Sequence, residues 1–289
     1  MKDLSLDVLI ERAEVLIEAM PYIRKHRDGL VVIKYGGAAM TTPELKQAVV
    51  KDVAMMQMIG ILPIMVHGGG KEITELQNRL GEKTTFIDGQ RVTDTAALDA
   101  AEMILSGRLN GELVAALNTS GARAVGISGK GGTLLRARAL KTDAGLGFVG
   151  EVEQVDATIL NVLTGNGFIP VVSPLGLGAD GQTYNINADT AALRIATEVK
   201  ARKLIFLSDI PGILRDRDDP GSVIGTIRRD EVEPMIAEGI IQGGMIPKAR
   251  AAASALDACE KVHILDGRRP HSLLLELFTD EGIGTQIVR

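Results

Sequence analysis

One recurring pattern limits what this chain can fold into: short runs of β-branched and aliphatic residues, each ending near a glycine-rich turn, alternate with segments of helical spacing. The runs fall at residues 30–34, 61–66, 168–172, 203–207 and 262–265. A strand that is apolar along its whole length must be covered on both faces. These runs therefore predict an α/β chain with a mostly parallel, buried sheet and helices on both sides. Residues 133–155 break the pattern: they are short, alternating and punctuated by glycine, which predicts hairpins inserted between the βα units. A further strand pair is expected near Thr183 and at residues 285–288. The chain carries no repeat of fixed period and no low-complexity linker.

The 289 residues suffice for one large domain or two modest ones with a sizeable core. Hydrophobic residues make up 45% of the chain and aromatics only 3%, with no tryptophan, so the core should be aliphatic and base-stacking platforms are not expected. A net charge of −5 supplies no general basic field for a nucleic-acid backbone or an anionic membrane. Any anionic ligand must then be held by a few local cations. The first residues lack a signal-peptide pattern and no apolar run approaches the ~20 residues of a membrane span, which gives a cytoplasmic expectation. Cys259 is the only cysteine, which excludes an internal disulfide and a cysteine-based zinc site. Its place in the alanine-rich run after Ala251 predicts a small buried helix residue.

Residues 5–25 precede the first strand, with Leu6, Leu9, Ile10, Ala13, Leu16, Ile17, Met20 and Ile23 at helical spacing. Ser5 is the expected N-cap, and Asp7 suits the positive end of the helix. Pro21 is expected to kink or interrupt it. Such a helix either packs on its own domain or serves as an exchanged interaction arm, and the residues leave both open.

Two glycine clusters close predicted strands, Lys34-Tyr35-Gly36-Gly37 and His67-Gly68-Gly69-Gly70, and the second leads directly into a helical run. Backbone N–H groups at such a turn, reinforced by a helix N-terminus, cradle phosphate; a tight βα turn asks for the same glycines. Two better-known fingerprints fail on context. Gly145-Leu146-Gly147-Phe148-Val149-Gly150 has the dinucleotide-loop spacing but no helix after it. The stretch from Gly126 to Thr133 looks like a P-loop, but position 124, where the first glycine should stand, is alanine. Polar residues scattered at strand ends are more telling: Lys34, Arg91, Asn185, Asn187, Asp189 and Lys248. Asn185, Asn187 and Asp189 lead into a helix, where capping is the ordinary use of such residues. Lys248 follows Pro247, read as the first residue of a helix. A lysine in a first turn opposes the helix dipole, which points to an anionic ligand.

These residues in this order resemble the amino-acid kinase family, and within it the N-acetyl-L-glutamate kinases. The likeness runs from Leu30 to Arg289 through seven motifs, at residues 32–37, 66–70, 89–94, 125–130, 147–152, 184–189 and 207–214. The resemblance implies a three-layer αβα sandwich with an open, mainly parallel sheet. It also implies a division of the chain: residues 1–28 as an N-terminal kinked helix serving oligomerisation, 29–181 as a lobe for acetylglutamate binding and dimerisation, and 182–289 as a lobe for ATP and arginine.

The implied reaction moves a phosphoryl group from ATP to the side-chain carboxylate of N-acetyl-L-glutamate, a step of arginine biosynthesis. That carboxylate is already ionised at neutral pH, so the chemistry asks for positioning of two anions and charge stabilisation, not for a general base. By the resemblance, Lys34 and Lys248 neutralise the moving phosphoryl oxygens and Asp189 orients both lysines. Gly36, Gly37, Ser208, Asp209 and Gly212 fall on the nucleotide side. Gly69, Gly70, Arg91, Asn185 and Asn187 fall on the acid side, with Arg91 as a two-point clamp for the α-carboxylate. Mg2+ rides mainly on ATP oxygens, without a dedicated protein site.

The leading helix and residues 271–285 resemble the arginine-inhibited branch of these kinases, a homohexamer built as a trimer of dimers. That branch implies an effector site at Tyr22, Lys203, His271, Glu281, Gly282 and Gly284, with arginine as feedback inhibitor. Glutamate and aspartate kinases of the same superfamily are the alternative within the enzyme class. A nucleotide- or amino-acid-binding sensor is the alternative outside it.

Overall fold

The computed structural model describes residues 5–40, 42–87, 89–279 and 282–289. Its strands are β1 (Leu30–Tyr35), β2 (Leu62–His67), β3 (Phe86–Ile87), β4 (Gln90–Arg91), β5 (Ala124–Ser128), β6 (Leu135–Ala139) and β7 (Val149–Val155). They continue with β8 (Ile169–Ser173), β9 (Leu175–Leu177), β10 (Thr183–Ile186), β11 (Lys203–Ser208), β12 (Thr226–Arg228), β13 (Lys261–Asp266) and β14 (Thr285–Val288). The helices are α1 (Leu6–His26), α2 (Pro43–Met58), α3 (Gly70–Arg79), α4 (Thr95–Glu102), α5 (Asn110–Thr119) and α6 (Thr158–Gly165). They are followed by α7 (Ala188–Glu198), α8 (Val232–Ala237), α9 (Met245–Ala255) and α10 (Ser272–Leu277). The five apolar runs become β1, β2, β8, β11 and β13, with no end displaced by more than one residue.

The main sheet has the order β12-β14-β13-β11-β1-β2-β8-β5. Its neighbours are parallel except β13 and β14. The sheet strands up to β8 lie on one side and those from β11 onward on the other. They meet where β1 pairs with β11, from Val31 opposite Lys203 to Lys34 opposite Phe206. Strand order reverses at this seam, and open α/β sheets bind ligands in the crevice beyond the strand carboxyl ends at such a point.

Strands β6, β7, β9 and β10 close into a separate four-stranded ring. The antiparallel β6–β7 pair is the expected hairpin. The two further strands join different sheets: β10 pairs with β7 and β9 in the ring, and β14 pairs with β12 and β13. The boundary expected between residues 181 and 182 falls inside the ring, between β9 and β10.

Strand alternation splits the buried residues into two cores, one on each face of the sheet. Val31, Ile33 and Tyr35 enter the core that holds α2 and α5 residues such as Val53 and Leu117. Val32 enters the other, with Ala191, Ala192 and Ile195 of α7 and Ala249, Ala252 and Ala255 of α9. Lys34 is two residues on from Val32 and so shares the α7 face. Alanine on the facing sides of α7 and α9 permits close approach of the two helices.

Three local expectations are corrected. Helix α1 continues through Pro21 to His26, so the proline does not interrupt it. Helix α9 begins at Met245, so Pro247 is its third residue and Lys248 its fourth. Cys259 is fully buried as expected but lies past the end of α9, and burial pushes its thiol up to about 11. Ser5 does cap α1, accepting from Val8 N at 3.5 Å. Among the described residues no helix is long and apolar enough to cross a membrane.

Candidate active site

Three elements meet beside the β1–β11 seam. Lys34 reaches across from β1, and its Nζ lies 3.0 Å from Oδ1 of Asp189 in the first turn of α7. Lys248, from the first turns of α9, brings its Nζ to 3.8 Å from the other oxygen, Asp189 Oδ2. One carboxylate thus holds two ammonium groups that come from opposite sides of the seam. Lys248 also donates to Ser208 Oγ at 3.2 Å, at the end of β11. Burial lowers the Lys248 pKa, the Asp189 carboxylate pulls it back up, and the neighbouring Lys34 charge lowers it again.

A cavity of about 230 Å³ opens on one side, lined by Gly68, Gly69, Gly70, Arg91, Asn185 and Asn187 among others. Arg91 is buried and its guanidinium is held by α3 along one face. Nη1 donates to Gln77 Oε1 at 2.7 Å; Nη2 donates to Gly70 O at 2.6 Å and to Thr74 Oγ1 at 2.8 Å. Positions 70, 74 and 77 are one and two helical turns apart, so they stack on a single stripe. The Phe86 ring lies 4.9 Å from the guanidinium carbon. All these partners are uncharged, and desolvation holds the Arg91 pKa below its ordinary value. Among the described residues no carboxylate pairs with Arg91, and a buried cation so placed favours an anionic ligand. Asn187 caps α7, its Oδ1 accepting from Asp189 N at 2.9 Å and Thr190 N at 3.1 Å. The capping use weighed for this segment is therefore real, and the Asn187 amide nitrogen is left for the cavity. Asn185 donates to Thr93 Oγ1 at 3.3 Å.

A larger cavity of about 870 Å³ opens on the other side, with Ser208, Asp209, Gly212 and Lys248 in its wall. The two glycine turns lie against each other between the cavities. A side-chain carbon at Gly36 would come into ordinary contact with Gly68 N at 3.4 Å and with Lys34 Nζ at 3.5 Å, which shows how near the two turns and the lysine lie. Gly37 follows with φ +61, a backbone region that favours glycine. The rejected P-loop lysine, Lys130, is engaged elsewhere, with Glu102 at 2.7 Å and Thr183 at 3.1 Å.

The residues expected for an effector site gather away from this cleft, around α10. Tyr22 of α1 meets Phe278 edge to face at 6.4 Å. His271, at φ +60 before α10, donates from Nδ1 to buried Asp52 Oδ1 at 2.6 Å, which ties α10 to α2. Lys203 is buried and desolvation pushes its pKa down to about 8. Gly282 lies against the Glu276 carboxylate and Gly284 against Ile264. Glu281 is outside the described residues. Sequence reasoning missed His26, His263, Glu276 and Asp52, which surround this cluster. Burial raises the Glu276 pKa, but the hydrogen bond from His263 Nδ1 at 2.6 Å, the His263 charge, the Ile283 N–H and Lys203 together outweigh it and hold the carboxyl below its ordinary value. It missed Thr74 and Gln77 as well, although their spacing from Gly70 on a helix was a usable signal.

A sequence model of the amino acid kinase family matches residues 29–266. The chain belongs to the amino-acid kinase family. Its fold is accordingly the amino-acid kinase fold, a mostly parallel sheet between helical layers, as expected. An acetylglutamate kinase from Syntrophomonas wolfei subsp. wolfei is 49% identical over 280 residues, covering 96% of this chain and 98% of that protein. Relatives of that name at 47–49% identity over nearly the whole chain make this family member a kinase. N-acetylglutamate synthase from Neisseria gonorrhoeae, solved with coenzyme A and N-acetyl-glutamate, matches with a TM-score of 0.84 at 28% identity, over 96% of this chain. This chain spans 63% of that synthase's length. The same synthase solved with coenzyme A and L-arginine matches with a TM-score of 0.79 at 25% identity, over 96% of this chain and 65% of the synthase.

Proposed function

We propose that this kinase transfers the γ-phosphoryl group of ATP to the side-chain carboxylate of N-acetyl-L-glutamate, forming N-acetyl-L-glutamyl 5-phosphate. The observation that carries the reading is the Lys34–Asp189–Lys248 bridge between a cavity of nucleotide size and one of small-acid size. Relatives named acetylglutamate kinase support the choice of acid. In this reading Arg91, Asn185 and Asn187 hold the acid, and Gly69 and Gly70 offer backbone donors beside it. Gly36, Gly37, Ser208, Asp209 and Gly212 face the nucleotide. Lys34 and Lys248 stabilise charge on the moving phosphoryl group, and Asp189 holds both ammonium groups in place so that little reorganisation is needed during transfer.

Magnesium fits this arrangement as a companion of ATP. Asp189 is engaged by two lysines, and Asp209 is a carboxylate in the wall of the larger cavity. The ion would neutralise phosphate charge while most of its ligands come from ATP and water. Residues 29–181 then form the acid lobe and 182–289 the nucleotide lobe.

The proposal extends to assembly and control. Helix α1 exposes Leu6, Leu9, Ile10, Leu16, Ile17 and Met20, an apolar surface suited to a second copy of the chain. This supports a homohexamer in which α1 interlaces dimers. Tyr22, Lys203, His271, Gly282 and Gly284 cluster around α10, and the synthase of like fold has been solved with L-arginine, which supports arginine as feedback inhibitor acting there with Glu281.

The test is an acid panel: purified protein with ATP and acetylglutamate, glutamate or aspartate, scored by hydroxamate trapping of the acyl phosphate. Turnover of acetylglutamate alone is expected. Preference for a free amino acid would overturn the substrate assignment.

A further inference from the structure

The glycine turn after β2 is braced by side chains to which the proposed reaction gives no part. His67 ends β2 and is fully buried. Its Nδ1 lies 2.9 Å from Gly68 O, and its Nε2 lies 3.1 Å from Asn110 Nδ2. The same amide nitrogen donates to Val171 O of β8 at 2.9 Å. Both ends of this chain of hydrogen bonds are backbone carbonyls, which only accept. The proton order therefore has one solution: Asn110 donates to Val171 O and to Nε2, and a neutral imidazole donates Nδ1–H to Gly68 O. Desolvation acts in the same sense, pushing the His67 pKa down to about 4.

Two features place Asn110 there. Residues Met103–Leu109 form a π-helix that joins α4 to α5, and Asn110 opens α5 directly after this change of helical phase. Opposite it, residue 126 in β5 is glycine, and a side-chain carbon there would overlap Asn110 Oδ1. Gly126 sits in the stretch that looks like a misplaced phosphate loop. Its place in the fold is instead to leave room for this amide.

The bond to Gly68 O controls the turn through peptide planarity. A trans peptide sets its C=O and N–H antiparallel, so holding Gly68 O toward His67 turns Gly69 N–H the opposite way. The peptide before it is held by Gly68 N donating to Tyr35 O at 2.8 Å, and the one after it by Ile73 N donating to Gly69 O at 2.9 Å. We infer that His67, in its neutral Nδ1–H form and held by Asn110, is a positioning residue that fixes the Gly68-Gly69-Gly70 turn in the orientation that phosphoryl transfer requires. This inference rests on the proposed placement of Gly69 and Gly70 beside the acid.

Nitrogen-15 NMR of the histidine-labelled protein reads the tautomer without any substrate, with His67→Asn assigning the signal. A protonated Nδ1 and bare Nε2 are expected at pH 7; a bare Nδ1 or an imidazolium overturns the inference. Kinetics form a second arm, because asparagine sets an amide donor near the Nδ1 position and glutamine sets one near Nε2. His67→Asn should keep kcat within about tenfold of the unmodified protein, while His67→Gln should lose about 100-fold, as expected for a displacement of ~1 Å at a reacting centre. Equal kcat in the two variants would remove the positioning role, with melting temperatures reporting on folding. Failure of the unmodified protein to phosphorylate acetylglutamate would strike the proposed substrate instead and leave the tautomer result standing.

Discussion

Arg91 donates from Nη1 to Gln77 Oε1 across 2.7 Å, so a buried guanidinium is held by an amide where a carboxylate would have neutralised it. The Gln77→Glu variant supplies that carboxylate with almost no change of shape. Its charge should compete with the acid substrate for Arg91. A charge-assisted hydrogen bond contributes about 1.5–3 kcal/mol, so KM for acetylglutamate should rise roughly tenfold to 100-fold with a smaller change in kcat. Steady-state kinetics decide it: an unchanged KM would mean that Arg91 does not hold the substrate.

Lys248→Ala should lower kcat by about 100-fold, because a charge matched to the transition state is lost while much ground-state binding remains. Near-normal kcat would take Lys248 out of the chemistry.

Asp189→Asn tests the same bridge by pH. Asp189 raises the Lys248 pKa against the lowering effects of burial and Lys34. Without the carboxylate, Lys248 should lose its proton at lower pH, so the alkaline limb of the kcat profile should move down. An alkaline limb that stays in place, or moves up, would contradict the bridge.

Stability should fall on acidification below neutrality. Desolvation lowers His26 and His67 from 6.5 to about 4, with Lys203 adding to the effect at His26. Between these values the unfolded chain binds more protons than the folded one. The contribution is therefore complete above about pH 6.5 and is lost as pH drops toward about 4. Urea midpoints at pH 7.5 and pH 5 should differ in that direction, and His67→Asn should reduce the difference. A flat profile would mean that the two rings are protonated in the folded protein.

Lys203 gives a prediction of opposite practical sense. Desolvation lowers its pKa to about 8, so at pH 7 the folded state carries a buried ammonium at a cost. Lys203→Met should raise the denaturation midpoint at pH 7 and weaken inhibition by arginine. A variant as arginine-sensitive as the parent would remove Lys203 from the effector site. The same titration on a truncation beginning at Gly29 tests the part of α1.

The sheet was readable because β1, β2, β8, β11 and β13 are buried on both faces and so appear as continuous apolar runs. The β6–β7 hairpin showed through its alternation and glycines. Closure of the ring by β9 was not readable, since three residues leave no periodic signal. The polar residues of the cleft were readable as an ordered set, whereas what supports them was hidden. His67, Gln77 and Asn110 are buried polar groups whose partners are remote in sequence, and their pairing depends on a helix stripe and a π-helix that periodicity does not reveal. The position of Pro247 was misjudged because the helix starts two residues earlier.

The β1–β11 seam also bears on solubility. Every residue of β11 is buried, and its ladder is satisfied by β1 on one side and β13 on the other. A fragment starting at residue 182 would bare the first of these edges, a six-residue row of unpaired backbone groups with four apolar residues at its centre, of the kind that recruits further strands. The first half of the chain would bare β1 in the same way. Each half thus guards the other against self-association, and Lys34, Asp189 and Lys248 stand at that guarded joint. Sequence drift that loosened the joint would expose aggregating edges as well as misalign the lysines, so selection against insoluble protein would preserve the spacing of these three residues.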